Sequence, residues 1–498
     1  MEDRPVLHRT SAVRGRHKKR ERKEQVRFPL PATASMNILL INPNRYRHPP
    51  VIPVGIEYLL GTLASSAHRG SALDLCFSDD PEHDLRSALD SLQPDIAGIS
   101  IRQVDTALYP DNHFFLPEIG RYVEVCHEKG LRVVLGGSGF SIMPREILRY
   151  TGADYGISGP GEFALIKLLD QLSGDPAAVD ALHESRERRL GEKRELVFDY
   201  GRYFADDGIA GFRTQVGCTQ TCFFCVESAR PAVFRNPESV VEELKAIKDK
   251  GYHRFHLCDS EFNQHLPHCL EVCKAIRGGP GAIDWTLYLK PEPFSREFFE
   301  LLAGSGATAI TVSIDTSPHK PHDFTRYAAL FRYAADRSIK VMVDLSVGYP
   351  GEKRETTQRM LDFLDNQPIV SAGVNAFYRV YPGTPLFRMI RADPSLHSGL
   401  IDFSPGSDFV APVFYHRFEI DELREMIGGR EKLRLEGFDT ATNYQRVSPA
   451  ANPKSPGQGA FRLPKGAEDR YGSRVSAGDE DNAGKAASRA IQSAPSRR

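Results

Sequence analysis

A chain of 498 residues has room for about two to four domains, and its formal net charge of -1 provides no overall field to favour nucleic acid or an anionic membrane. No stretch approaches the roughly eighteen apolar residues of a membrane span, and the amino terminus lacks the apolar segment of a signal peptide. Eight cysteines in a chain this long are no disulfide framework, so the expected setting is the reducing cytoplasm.

Residues 1–35 are polar and basic around Arg14-Gly15-Arg16-His17-Lys18-Lys19-Arg20, and the expectation is a solvated, disordered extension. A nucleic-acid arm and translation from Met36 are the alternatives. From Met36 the pattern changes. Ile38-Leu39-Leu40-Ile41 is a short apolar run of the kind buried on both faces of a parallel sheet. Strands are then predicted over 73–77, 96–101, 132–135 and 155–157, alternating with helices over 55–63, 85–92, 118–129 and 144–150, with one more helix opened by 159–162. This alternation predicts a doubly wound, flavodoxin-like α/β domain over 36–172. Ligands on such folds lie beyond the carboxyl ends of the strands, here the loops 42–53, 102–105, 136–139 and 159–162. Residues 173–205 are polar with mixed charge and read as a surface linker.

The second unit, 206–400, opens on Gly217-Cys218-Thr219-Gln220-Thr221-Cys222-Phe223-Phe224-Cys225, just after a β-prone run. A disulfide would leave one of the three thiols over, and a structural zinc site would need a fourth ligand from elsewhere. Three thiolates on one tight loop suit a cubane iron–sulfur cluster with one iron open to a substrate or cofactor. Behind the cysteines, strands over 254–258, 285–289, 309–315, 340–347 and 374–380 alternate with helices, which predicts six β/α repeats in a partial barrel with polar strand ends on one rim. His253, His256, His265 and His268 with Cys258, Cys269 and Cys273 resemble a metal cluster in composition, but strand and helix periodicity scatters them over several faces. Residues 401–446 read as a cap over the barrel mouth, and 447–498, rich in Ser, Pro, Gly and Ala, as a disordered tail.

The spacing Cys218-x3-Cys222-x2-Cys225, with Phe224 before the last cysteine, resembles the signature of the radical S-adenosylmethionine (SAM) superfamily. Pro53-Val54-Gly55-Ile56-Glu57-Tyr58-Leu59, Gly136-Gly137-Ser138-Gly139 and Gly159-Pro160-Gly161-Glu162 resemble the cobalamin-binding domain that precedes the barrel in cobalamin-dependent radical SAM enzymes. The resemblance implies a 4Fe-4S cluster on Cys218, Cys222 and Cys225, with SAM on its open iron. Asp259 and Glu261 would meet the SAM amine, Ser313 and Asp315 the ribose and carboxylate, and Gly348 the adenine. It implies cobalamin against Gly55, Tyr58, Arg102, Gln103, Gly136, Gly137, Ser138, Gly159, Gly161 and Glu162. No Asp-x-His-x-x-Gly follows the first strand, so the histidine that coordinates cobalt from below is missing, and Arg102 or Gln103 is expected at that face. Tyr288, Tyr378 and Tyr381 are the candidates to face the substrate and relay a proton. The implied reaction is methylation of an unactivated carbon of a small molecule or natural-product intermediate by a 5′-deoxyadenosyl radical and methylcobalamin, with electrons from a partner such as flavodoxin or ferredoxin. The alternatives are a non-methylating rearrangement or cyclisation, polar methyl transfer as in the tryptophan 2-methyltransferase branch, a first domain that binds a nucleotide or nothing, and a non-catalytic iron–sulfur protein.

Overall fold

The computed structural model describes residues 35–47, 49–318 and 322–439. The extension expected over 1–35, apart from Ser35, and the tail expected over 447–498 lie outside the described residues.

The first domain is a six-stranded parallel sheet built from β1 (Asn37–Asn42), β2 (Arg69–Asp74), β3 (Ile96–Ser100), β4 (Arg132–Gly136), β5 (Tyr155–Ser158) and β6 (Leu182–Glu184). Its order is β2-β1-β3-β4-β5-β6. Side-chain alternation divides it between two cores. Ile38 and Leu40 face one side with Ile56 and Leu165, whereas Leu39 and Ile41 face the other with Leu85 and Ile119. Helices therefore cover both faces, and the order reverses direction between β1 and β3, the switch point at which such sheets bind ligands.

Two expectations need correction here. The second strand runs over 69–74 rather than 73–77, because Arg69 to Asp74 pair with Asn37 to Asn42 and the apolar Leu75 and Cys76 are buried in the turn that follows. The linker is also no surface connection throughout. It adds β6 to the sheet, and the side chain of Arg194 is 1% exposed.

The barrel sheet comprises β7 (Ala210–Phe212), β10 (Arg254–Leu257), β11 (Asp284–Leu289), β12 (Ala307–Asp315), β13 (Lys340–Ser346), β14 (Ser371–Asn375) and β18 (Leu433–Leu435), all parallel. Between β7 and β10 lies a short antiparallel hairpin, β8 (Gln215–Val216) and β9 (Val233–Phe234), which carries the cysteine loop. The six repeats supply six strands. The segment read as a cap supplies the seventh, β18, together with β16 (Leu400–Ile401) and β17 (Phe414–His416), which join β15 (Phe377–Arg379) in a small antiparallel sheet.

The barrel stays open between β7 and β18, and loops of the first domain reach both edges. Val51, beyond β1, bridges Ile209 in parallel. Tyr109, beyond β3, stacks on Phe377 with ring centroids 4.9 Å apart, and a Cβ on Gly437 would collide with its carbonyl. Among the described residues no helix is long and apolar enough to cross a membrane.

Candidate functional site at the domain junction

Gly217 starts the cysteine loop at φ +90°, where a Cβ would collide with the Pro231 carbonyl, so the loop closes tightly on itself. The Arg230 amide donates to the Cys218 carbonyl at 2.8 Å and the Ala229 amide to that of Gln220 at 2.7 Å. Cys218 is buried, and Cys222 and Cys225 are half-buried. Burial pushes the Cys218 and Cys225 thiols up, an effect that binding to iron reverses by taking the thiolate. Phe223 and Phe224 turn into an aromatic cluster with Tyr378, 4.9 and 5.0 Å from its ring, and so anchor the loop to β15. Three thiols on a closed, anchored loop fit a cluster that takes one thiolate per iron.

The segment after β10 is a bracket. The Asp259 carboxylate accepts from the Thr214 amide (2.8 Å), the Thr214 hydroxyl (2.5 Å) and the Gln215 amide (3.1 Å), which fixes the base of the hairpin. Burial raises its acid to about 6 against those donors. Ser260 donates to Glu227 of the cysteine loop at 2.5 Å, and Gln215 Nε2 donates to the carbonyls of Glu261 and Phe262. Of the two carboxylates expected at the SAM amine, Asp259 is thus committed to backbone, and Glu261 is the one whose charge bears on the Tyr288 and Lys290 side chains.

The lumen carries the polar residues of alternate strand positions. His256 Nδ1 shares a hydrogen bond with Thr286 Oγ1 at 2.8 Å, and its ring meets Tyr288 edge-on at 5.9 Å. Burial lowers the His256 pKa to about 4, with Arg102 adding to the shift. Tyr288 hydrogen-bonds Asp344, whose charge, followed by burial, holds its hydroxyl well above the usual range. Glu436 reaches the same place across β14, where Gly373 has no Cβ to obstruct it. On the far rim Asp315 accepts from the Ser317 amide at 3.1 Å, and Ser313 pairs in register with Asp344. The loop with Gly348 (φ +95°) is organised by Glu352, which accepts from the Gly348 and Tyr349 amides at 2.7 and 2.9 Å and from the Thr316 and Thr357 hydroxyls at 2.6 and 2.5 Å.

At the switch point of the first domain, the loops after β3 and β4 are pressed together. A Cβ on Gly137 (φ +95°) would collide with the Ile101 carbonyl, and one on Gly139 would lie 2.8 Å from the Gln103 backbone. Ser138 Oγ donates to the Arg102 carbonyl at 2.7 Å, and Arg102 Nη1 to Gln103 Oε1 at 2.8 Å. Together with Gly136 they bring backbone close together at the ends of two strands, and the Arg102 charge acts on His256 and Cys258 of the barrel. Gly55 is exposed with nothing within 4 Å of its Cβ position, so a bulky ligand can approach the backbone there.

The remaining residues expected at cobalamin make contacts within the chain. The Tyr58 ring is fully buried and its hydroxyl donates to Glu243 at 2.8 Å. Glu162 is ion-paired with Arg213, and Gly159 packs on the Ser185 carbonyl, while the Cβ position of Gly161 meets Leu59 at 3.4 Å. Tyr58 and Glu162 thus lie in the seam between the domains, as does Arg194, which ion-pairs Glu57 and Glu243 at 2.7 Å each. Arg235 pairs Glu243 at 2.7 Å. Tyr378 donates to the Val347 carbonyl at 2.6 Å, and Tyr381 to Asp105 at 3.2 Å beside the Asp105–Arg379 ion pair. Of the three tyrosines, Tyr288 is the one that faces the lumen. Cys269 donates to the Phe262 carbonyl at 3.1 Å, and Cys273 is fully buried in the apolar core. Among the described residues no three His, Cys, Asp or Glu side chains gather as around a single metal ion. Arg194, Glu243 and Glu436 escape a reading of the sequence, since nothing local distinguishes them from surface charges.

Residues 46–169 match the model of the B12 binding domain, and residues 212–364 that of the Radical SAM superfamily. Tryptophan 2-C-methyltransferase of Streptomyces laurentii is 28% identical over 434 residues, spanning 68% of this chain and 71% of that protein. Among solved structures, the radical S-adenosylmethionine methyltransferase TsrM of Kitasatospora setae, bound to tryptophan and a SAM analogue, shares the fold with a TM-score of 0.72 at 24% identity, over 80% of this chain and 91% of that one. The cobalamin-dependent SAM radical enzyme OxsB shares it with a TM-score of 0.61 at 14% identity, over 77% and 64%.

Proposed function

We propose, for a chain that belongs to the cobalamin-dependent radical SAM enzymes, that it methylates a carbon of a small molecule held in the barrel lumen. One observation carries this reading: first-domain loops touch both open edges of the barrel, and the Arg102 charge on the loop after β3 acts on His256 of the barrel. When bound, the cluster with SAM and the cobalamin supply one-electron chemistry and a transferable methyl group. Cys218, Cys222 and Cys225 would hold the cluster, and Glu261 the ammonium of SAM, with the Gly348 loop under its adenine. Arg102, Gln103 and Gly136 to Ser138 would form the floor under cobalamin, and Arg102 would place a cation there. A partner such as flavodoxin or ferredoxin would deliver electrons.

The kinship with a tryptophan 2-C-methyltransferase favours a second, narrower reading, in which the substrate is an aromatic amino acid or a related amine. Asp344 and Glu436 provide carboxylates for an ammonium group. His256, kept neutral by burial, is the basic group of the lumen wall that can accept the proton an aromatic carbon loses when methyl replaces hydrogen.

The test is anaerobic reconstitution with iron, sulfide and hydroxocobalamin, followed by metal analysis and incubation with trideuteromethyl-SAM and a panel of aromatic amino acids. Four irons and one cobalt per chain with a product heavier by one labelled methyl group is the expected result. Cobalt that washes off while iron stays would refute the methyltransferase reading. S-adenosylhomocysteine without 5′-deoxyadenosine would select the polar route, and both together the radical one.

A further inference from the structure

Lys290 directly follows β11, and its backbone is gripped on both sides. Asn263, fully buried, accepts from the Lys290 amide at 2.9 Å and donates to the carbonyls of Lys290 and Pro293 at 2.9 and 2.8 Å. That grip sends the side chain to the cysteine loop, where Nζ donates to Thr219 Oγ1 at 3.2 Å and to Gln264 Oε1 at 3.3 Å. Gln264 Oε1 also accepts from the Thr219 amide at 3.1 Å and its hydroxyl at 2.6 Å.

An ammonium can only donate, so the oxygen of the Gln264 amide must face Lys290 and Thr219. The amide nitrogen is thereby turned onto Cys218 Sγ, 3.3 Å away. Lys290 thus acts on Cys218 twice, through its own charge and through the orientation it imposes on Gln264. The Glu261 carboxylate also acts on Lys290 and offsets part of its charge. Burial lowers the Lys290 pKa while Cys218 works in the other direction. The arrangement is built rather than incidental: residues 259 to 264 contact, in turn, the hairpin base, the cysteine loop, the Lys290 backbone and the first cysteine.

We infer that Lys290 and Gln264 raise the reduction potential of the cluster held by Cys218, Lys290 by its cationic charge and Gln264 by an N–H···S bond. Hydrogen bonds to cluster sulfurs and nearby charge set such potentials. One electron from an external low-potential reductant adds one negative charge to the cluster and its three thiolates. A cation and a donor beside one thiolate stabilise that reduced form more than the oxidised one. This inference rests on the proposed cluster, but not on cobalamin, the substrate or methyl transfer.

The experiment is an EPR-monitored potentiometric titration of the reconstituted full-length chain without SAM or substrate, with iron counted in each sample. K290M is expected to lower the reduced-to-oxidised ratio at the wild-type midpoint by about tenfold, equivalent to about 59 mV for a one-electron couple. Q264L is expected to shift the midpoint in the same direction with the lysine still present, and K290R to stay near wild type. If K290M fails to hold iron, Q264L decides. Unchanged midpoints at full iron content overturn the inference, and K290M weakening SAM binding at that unchanged midpoint would make Lys290 a SAM ligand instead. A wild-type chain that takes up no cluster would instead refute the reading of the three cysteines, a separate and visible failure.

Discussion

Replacing Arg194 with methionine removes a buried cation from between two buried carboxylates while retaining most of the side-chain volume. In the native chain its guanidinium meets Glu57 and Glu243 at 2.7 Å each, the Gly211 carbonyl at 2.6 Å and the Tyr200 hydroxyl at 2.6 Å. Burial opposes the charge, yet Glu243, Tyr200 and Glu57 hold the Arg194 pKa well above its ordinary value. The two carboxylates are not equally exposed to the loss. Glu243 keeps Arg235 at 2.7 Å and the Tyr58 hydroxyl, whereas Glu57 keeps only neutral donors, the Tyr200 hydroxyl at 2.7 Å and the Val197 and Phe198 amides at 3.0 and 3.4 Å. Stranding a buried charge costs about 3–5 kcal/mol, so R194M should destabilise the chain by that order. The double variant R194M/E57Q should recover about half of it, because the stranded charge is gone. Urea unfolding followed by the fluorescence of Trp285, the single tryptophan, checks both values. A cost of R194M below about 1 kcal/mol, or strict additivity with E57Q, would show that the seam is not held by these charges.

Other outcomes follow from the same geometry. G139A should force the loops after β3 and β4 apart, since its Cβ would lie 2.8 Å from the Gln103 backbone. Overpacking of this kind costs about 1–3 kcal/mol, and the reconstituted variant should retain less cobalt while its iron is unchanged. C222S should show the converse in metal analysis, losing iron and keeping cobalt, because the cobalamin floor uses no residue of the cysteine loop. E352Q keeps the shape but not the four-acceptor carboxylate that organises the Gly348 loop, and should weaken SAM binding by about tenfold in equilibrium dialysis. His256 is protonated more readily unfolded than folded, its pKa falling from 6.5 to about 4. Its contribution to stability is therefore full above about 6.5 and lost as pH falls towards 4, and H256Q should flatten that part of the stability-against-pH curve. An unchanged slope would place the acid sensitivity elsewhere.

What could be read from residue order alone was whatever local pattern controls. A buried apolar run such as Ile38 to Ile41, strand–helix alternation in both units, and three cysteines within eight residues each have a meaning independent of distant chain. These determine the two-domain α/β architecture and the loop proposed to hold the cluster. The pattern failed where burial and pairing part company: Leu75 and Cys76 are apolar because they are buried in a turn, and β18 is too short and too late to be seen as a barrel strand. The charged seam was illegible for a stronger reason. Arg194 meets partners 137 and 49 residues away, and an arginine in a polar stretch has no mark to show that two carboxylates will enclose it. The same holds for the division of labour after β10, where Asp259 holds the base of the hairpin and the Glu261 charge acts on Tyr288, and for Tyr378 and Tyr381, whose hydroxyls bond the Val347 carbonyl and Asp105 while that of Tyr288 bonds Asp344. Residue types and spacing determine which chemistry a chain can carry. Which side chains carry it depends on what else is buried beside them, and only the tertiary structure decides that.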